Sequence, residues 1–224
     1  MILCLDAGNT RLKWGLREGG TWHARGACAH TDCVGLTAAL PADVERIFAC
    51  NVACAEVAQR IEALAATLGV PLDWFKSTAA CCGVKNGYDN PAQLGADRWA
   101  ALVGAHGLHV GNALVVMAGT ATTIDVLDAD GHFRGGLILP GLDLMQISLA
   151  RNTAGLPEAH GVYRDLPTNT DDAIVSGALQ ATLGAIERMA TRSCRPASAD
   201  FLCLLSGGAA DALAPHLELR LRRI

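Results

Sequence analysis

The first apolar run, Ile2-Leu3-Cys4-Leu5, predicts a buried strand over 2–6. Over 11–16, Leu12, Trp14 and Leu16 fall on one face, with Arg11 and Lys13 on the other, so a second strand is expected. Glu18-Gly19-Gly20 reads as the turn into a third strand, Thr21–Ala24. Residues 33–40 and 55–68 carry helical spacing. Arg46–Ala49 predicts a short strand between them, and Val70–Phe75 another after them. Further on, Ala113–Met117 and Ile124–Leu127 read as strands. The turn Asp128-Ala129-Asp130-Gly131 leads to a third that runs through Leu139. Asp171–Thr191 predicts a long helix with N-cap candidates in Asn169-Thr170-Asp171. Phe201–Leu205 predicts a strand that ends in Ser206-Gly207-Gly208.

The succession of strand, small polar loop, strand, turn and strand therefore occurs twice. LDAGNT at 5–10 is matched by VMAGTAT at 116–122. This predicts two homologous halves, 1–110 and 111–224, each mixing strands with helices in the α/β class. The plainer alternative is a pair of unrelated β-meanders.

Composition narrows the class. Of 224 residues 51% are hydrophobic, enough for a substantial core. The net charge of −4 and the lack of a basic run give no sign of nucleic-acid binding. Arg220, Arg222 and Arg223 read as a solvated terminus. The nine cysteines form neither a CxxC pair nor a zinc pattern, and Cys81-Cys82 is awkward for an ordinary disulfide. With no secretory or membrane-spanning segment in view, a reducing cytoplasm is the expected location, away from membranes.

The loop that follows the first strand raises a chemical question. A hairpin turn needs Gly8 and Asn9, but not Asp6, Thr10, Arg11 and Lys13 together. An acid suits Mg²⁺, which prefers carboxylate and phosphate oxygens. Gly8 lets backbone approach a phosphate, Asn9 and Thr10 donate hydrogen bonds, and Arg11 or Lys13 neutralises charge. It is not a Walker loop. Gly119–Thr123 offers similar donors, and Ser206-Gly207-Gly208 makes a third candidate loop at a strand end. In GYDNPAQLGADRWAALVGA, residues 87–105, Asn90-Pro91 marks a turn and Ala96–Ala105 is helical. Asp97 near that helix N-terminus either complements the dipole or, if turned into a cleft, accepts a hydroxyl proton. Arg98 beside it suits a carboxylate or a phosphoryl group.

Four segments together resemble the type III pantothenate kinases, within the actin-like ATPase superfamily. They are DAGNTR at 6–11, GYDNPAQLGADR at 87–98, GTATTID at 119–125 with GGLILPG at 135–141, and NTDDAIVSG at 169–177. The resemblance implies a duplicated ribonuclease-H-like fold and ATP-dependent phosphorylation of pantothenate, the first step of coenzyme A synthesis. It assigns ATP phosphates to Asp6, Ala7, Gly8, Asn9, Thr10, Arg11, Leu12, Lys13 and Thr120, and places Mg²⁺ near Asp6. Pantothenate falls to Tyr88, Gly95, Ala96, Asp97, Arg98 and Thr170, with Asp97 as proton acceptor. A homodimer is expected, with some substrate contacts from the partner subunit.

The chain departs from the family where an acid that helps bind K⁺ or NH₄⁺ is replaced by Met117, so a weakened monovalent-cation requirement is expected. Relatives also usually continue after Ser206-Gly207-Gly208 into a further strand or helix, for which little chain is left here. Two other functions compete. One is a catalytically silent ATP-binding module of the same fold. The other is a sugar kinase or polyphosphate-cleaving relative, against which NPxxLGxDR speaks.

Overall fold

The computed structural model describes residues 1–156, 158–193 and 201–224, apart from the side chain of Val34. They group into two compact units, Met1–Thr78 with Asn90–Ala100, and Ala79–Asp89 with Ala101–Ile224.

The first unit is built on β1 (Ile2–Ala7), β2 (Leu12–Glu18), β3 (Thr21–Cys28), the short α1 (Leu36–Ala39), β4 (Arg46–Asn51), α2 (Ala55–Leu68) and β5 (Leu72–Trp74). Its five-stranded sheet has the order β3-β2-β1-β4-β5. β1–β3 run as an antiparallel meander, while β4 and β5 lie parallel to β1 and to each other in turn. Period-2 alternation sends Leu3, Leu5 and Ala7 into the core with Leu12, Leu16, Ile47 and Ala49. Val57, Ile61 and Leu64 of α2 join the same core. Burial of each large side chain there stabilises the fold by about 1.5–3 kcal/mol. The same alternation turns Asp6 to the opposite face. α2 stops at Gly69, whose left-handed backbone (φ +67°) lets Val70 N–H reach Ala65 O at 3.1 Å.

Two expectations in this unit are corrected. Residues 33–40 do not form one helix. A 3₁₀ turn at His30–Gly35 gives way to the single turn of α1, with Leu36 as its buried residue. The third strand runs on from Ala24 to Cys28 because Gly26 lies beneath the Trp14 indole, where a Cβ would meet the ring at 2.8 Å.

The second unit contains β6 (Ala80–Cys81) and β7 (Val84–Asn86), most of α3 (Ala96–Leu108), then β8 (Ala113–Ala118), β9 (Ala121–Leu127) and β10 (His132–Pro140). It continues with α4 (Leu142–Asn152), α5 (Thr170–Ser193), β11 (Leu202–Ser206), α6 (Ala210–Leu213) and β12 (Leu221–Arg223). Its seven-stranded sheet has the order β12-β11-β8-β9-β10-β7-β6. Without β7 and β6 this is the order and sense of the first sheet, with β8, β9, β10, β11 and β12 standing for β1 to β5. The α/β class with two mixed sheets is therefore present. Loop contacts repeat too: Val52 N–H donates to Ala7 O at 3.0 Å in one sheet, and Ala209 N–H to Ala118 O at 3.1 Å in the other.

Leu114, Val116, Ile124, Val126 and Phe201 pack against Leu179, Leu183 and Ile186 of α5. Asn169 caps that helix, accepting from Asp172 N–H at 2.9 Å. The short remainder after Gly208 does form a helix and a strand, α6 and β12. Among the described residues no helix is long and apolar enough to cross a membrane. The described cysteines are free thiols; Cys194 lies outside the described residues.

Candidate active site

In the first unit, sheet register assembles a row of side chains. Asp6, second from the end of β1, lies opposite Lys13 on β2 and opposite Cys50 on β4. Lys13 Nζ reaches Asp6 Oδ2 at 3.3 Å, and the Cys50 thiol donates to Oδ1 at 3.3 Å. Burial pushes the Cys50 thiol well above its ordinary value, and the charge and hydrogen bond of Asp6 push the same way. Cys50 is thus a neutral donor at physiological pH and not a nucleophile.

The loop from Gly8 to Arg11 crosses from β1 to β2. His30, in the 3₁₀ turn after β3, lies with Nε2 2.9 Å from Gly8 O. A carbonyl only accepts, so Nε2 carries the proton and ties the loop to the turn. Asn9, Thr10 and Arg11 remain exposed at its tip, and Leu12 is fully buried where β2 begins.

Asp97 enters the same unit from the N-terminal turn of α3. Asn90 Oδ1 accepts from Ala92 N–H at 3.1 Å and Pro91 opens a 3₁₀ turn, so the chain arrives at α3 along a fixed path. Ser77 Oγ donates to Pro91 O at 2.8 Å and ties that turn back. Leu94 and Trp99 are buried on either side and anchor the segment. Asp97 itself is half-buried, and its Oδ1 accepts from Arg98 N–H at 2.7 Å. Burial pushes its carboxyl above the ordinary value; the Arg98 N–H pulls it back, and the Asp6 charge adds to the rise. Gly95 leaves room for that carboxylate, since a Cβ there would lie 2.7 Å from Oδ1. Arg98 is buried. Beside these residues a cleft of about 590 Å³ opens, lined by Val52, Trp74, Phe75, Lys76, Gly95 and Ala96 among others. An organic acceptor of modest size fits such a volume.

Of the predicted site residues, Asp6 to Lys13 and Gly95 to Arg98 therefore belong to the first unit, where the Asp6 charge raises the carboxyl of Asp97 and both acids raise the Cys50 thiol. Tyr88, Thr120 and Thr170 belong to the second. Tyr88 stacks at 5.5 Å on Phe133 of β10, and its N–H donates to Asn86 Oδ1 at 3.1 Å. Thr120 sits in the loop after β8, and Thr170 is the first residue of α5. Gly141 closes on the Thr120 loop, its N–H donating to Thr120 O at 2.9 Å. Gly207 (φ +100°) approaches the end of β8 so closely that a Cβ would lie 2.2 Å from Ala118 O. Three glycine-bearing loops thus meet at one strand end in this unit.

Met117 occupies in β8 the place that Asp6 holds in β1, opposite Thr123 and opposite Ser206. Thr123 Oγ1 is buried and has no hydrogen-bond partner among the described residues. A thioether and two hydroxyls are a poor donor set for K⁺, so a monovalent-cation site of the usual acidic kind does not fit here. Asp6 supplies one carboxylate of the kind a divalent ion prefers. Among the described residues no group of three or more His, Cys, Asp or Glu side chains could hold a metal. One carboxylate supplemented by substrate phosphates is the usual protein share for Mg²⁺.

Sequence reading missed Cys50 and His30. Each reaches the loop from a distant segment, and only sheet register or the 3₁₀ turn brings it there.

Comparison with known proteins bears on the identity. A profile described as type III pantothenate kinase matches residues 2–192. A type III pantothenate kinase of Aromatoleum aromaticum is 52% identical over 100% of this chain and 93% of its own length. One of Dechloromonas aromatica is 49% identical over 99% and 93%. Among solved structures, a Campylobacter jejuni protein provisionally assigned as a Baf family transcriptional activator aligns with TM-score 0.64 at 18% identity, over 99% of this chain and 90% of that one. A Sinorhizobium meliloti protein provisionally assigned as a 2-dehydro-3-deoxygalactonokinase aligns with TM-score 0.59 at 17% identity, over 100% and 94%. At those identities the structures speak to the fold, which is the duplicated ribonuclease-H-like fold of actin-like ATPases and sugar kinases. On sequence, the chain belongs to the type III pantothenate kinase family.

Proposed function

We propose that the protein phosphorylates pantothenate with ATP to give 4′-phosphopantothenate, opening coenzyme A synthesis. One observation carries this reading beyond family membership. A half-buried carboxylate with a raised pKa, Asp97, stands in the same compact unit as the Asp6–Lys13 loop and beside a cleft of about 590 Å³.

In this mechanism Asp97 accepts the proton of the pantothenate primary hydroxyl as its oxygen attacks the γ-phosphorus in line. The bond to the β–γ bridging oxygen breaks, and ADP leaves with that electron pair. Gly8, Asn9 and Thr10 present backbone and side-chain donors to the phosphates, and Lys13 and Arg11 offset their charge. Asp6 is the residue that would hold Mg²⁺, which neutralises charge on phosphate oxygens. Cys50 keeps one Asp6 oxygen occupied and so orients the carboxylate. Most of the acceleration comes from positioning and electrostatics, and proton acceptance adds about 10²–10⁴-fold.

Motif resemblance alone supports ATP contact by Thr120, pantothenate contact by Tyr88 and Thr170, and a homodimer; the repeated strand-and-loop pattern supports lobes at 1–110 and 111–224, and the cysteine pattern a cytoplasmic location. A silent ATP-binding module is the second reading, favoured by the neutral Met117. Incubation with Mg-ATP and pantothenate, followed by mass spectrometry, separates the two. The expected product is 4′-phosphopantothenate, and its absence across all monovalent cations would leave the binding module.

A further inference from the structure

We propose that Cys81 and Cys82 form a bidentate soft-ligand site that captures trivalent arsenic carried on an organic group. The two thiols sit where β6 turns into β7, with Cys82 exposed and Cys81 partly so. Their sulfurs are 3.6 Å apart, with the Cys81 thiol donating to Cys82. Cys82 adopts a left-handed conformation, φ +48°, rare for a residue with a side chain, and Gly83 follows at φ +84°. The turn is held from outside. Lys85 N–H donates to Gly131 O at 2.8 Å, and a Cβ on Gly131 would come within 2.3 Å of Gly83 O. The sulfur pair is therefore presented by a braced backbone.

Geometry decides what the pair can hold. Neighbouring Cα atoms are about 3.8 Å apart, short of the roughly 4.4–6.8 Å of ordinary disulfides, so a direct sulfur–sulfur bond closes a strained ring. A bridging atom relieves this. Two metal–sulfur bonds of about 2.3 Å that span the observed 3.6 Å meet at about 100°. That angle suits the pyramidal bonding of a trivalent centre. Among the described residues no third His, Cys, Asp or Glu completes a metal cluster here. The occupant must therefore bring its remaining bond with it, as an organoarsenic does. Partial burial and the hydrogen bond to Cys82 keep the Cys81 thiol above its ordinary value, so capture quickens as pH rises.

The step balances without an oxidant. An arylarsine oxide and two thiols give a cyclic dithioarsenite and water. Two sulfur–arsenic bonds form, the arsenic–oxygen bond breaks, both thiol protons leave with the oxide oxygen, and arsenic stays trivalent.

The test treats the reduced full chain with one equivalent of phenylarsine oxide and reads intact mass. One arylarsenic adduct is expected, surviving excess 2-mercaptoethanol and released by 2,3-dimercaptopropanol. Cys81→Ser and Cys82→Ser should each lose the monothiol-resistant adduct, while Cys54→Ser, at an exposed cysteine outside the pair, should keep it. An adduct stripped from the unmodified protein by the monothiol overturns the proposal. So does one retained in both Cys81→Ser and Cys82→Ser, which would place the capture elsewhere.

Discussion

Gly95→Ala separates function from stability at this site. The new Cβ would lie 2.7 Å from Asp97 Oδ1, whereas ordinary contact begins near 3.4 Å, so the carboxylate must retreat by 0.7 Å. Its next neighbour, Val52 Cγ1 at 3.8 Å, is undisturbed. Retreat also stretches the 2.7 Å bond that Oδ1 accepts from Arg98 N–H. Misplacing a reacting group by about 1 Å lowers a rate by up to 10²-fold, so kcat should fall roughly 10–100-fold. The fold barely registers the change. Alanine restricts the unfolded chain and stabilises by about 0.4–1 kcal/mol, which offsets the ~1 kcal/mol of a weakened hydrogen bond. Steady-state formation of phosphopantothenate and a thermal melt read the two quantities. Repeating the substitution in an Asp97→Asn background completes a double-mutant cycle, where Gly95→Ala should add nothing further to the loss in kcat. A full additive loss in that background, or a raised KM with unchanged kcat, would show that the methyl acts on the substrate, and the carboxylate argument would fail.

Asp97→Asn itself should lower turnover by about 10²–10⁴-fold in a folded protein. At neutral pH it should also melt higher than the parent. A carboxyl whose folded-state pKa is raised binds its proton more tightly folded than unfolded, so it withdraws stability as pH rises through that window. The advantage of asparagine should vanish below about pH 4, where the parent carboxyl is protonated in both states; an advantage that persists there contradicts the assignment. Cys50→Ala should raise the KM for Mg-ATP by about fivefold or less while Cys50→Ser stays near the parent, since the bond lost is worth ~1 kcal/mol. The kinase rate should stay nearly flat when K⁺ replaces Na⁺, and Met117→Asp should introduce a K⁺ requirement; a steep dependence in the parent enzyme refutes this. Gly207→Ala should destabilise by at least about 3 kcal/mol in denaturant melts, because both its φ of +100° and the Ala118 carbonyl oppose a side chain.

What could be read from sequence was local. Alternation along 2–6 and 11–16 is enough to turn Asp6 and Lys13 to one face, and the repeated loop motif announces the second sheet. Asn90-Pro91 signals the path that delivers Asp97. What could not be read depends on partners far along the chain. Cys50 meets Asp6 across 44 residues and His30 meets Gly8 across 22, and no short-range pattern encodes either. α4 escaped for a different reason: none of its residues is buried, so it shows no clear apolar stripe. β6 and β7 span two and three residues, too few for a period to show. The third strand runs past Ala24 to Cys28 because Gly26 fits beneath the Trp14 indole, a cross-strand contact that no local pattern encodes.

The duplicated sheet explains why the departure at Met117 can be tolerated. In the first sheet the acid at the penultimate position of the leading strand is balanced by neighbours of its own, the Lys13 ammonium at 3.3 Å and the Cys50 thiol at 3.3 Å. The corresponding neighbours in the second sheet are Thr123 and Ser206, and neither carries charge. An acid placed there would have no built-in counter-charge directly opposite it, so a bound monovalent cation is the natural way to supply one. Methionine removes the charge and with it the reason for the cation. The buried Thr123 hydroxyl has no partner among the described residues. On this reasoning Met117 does not damage an ion site that the enzyme still needs. It removes the acid and with it the reason for an ion at this place, while the Asp6 row of the first sheet keeps its own neighbours.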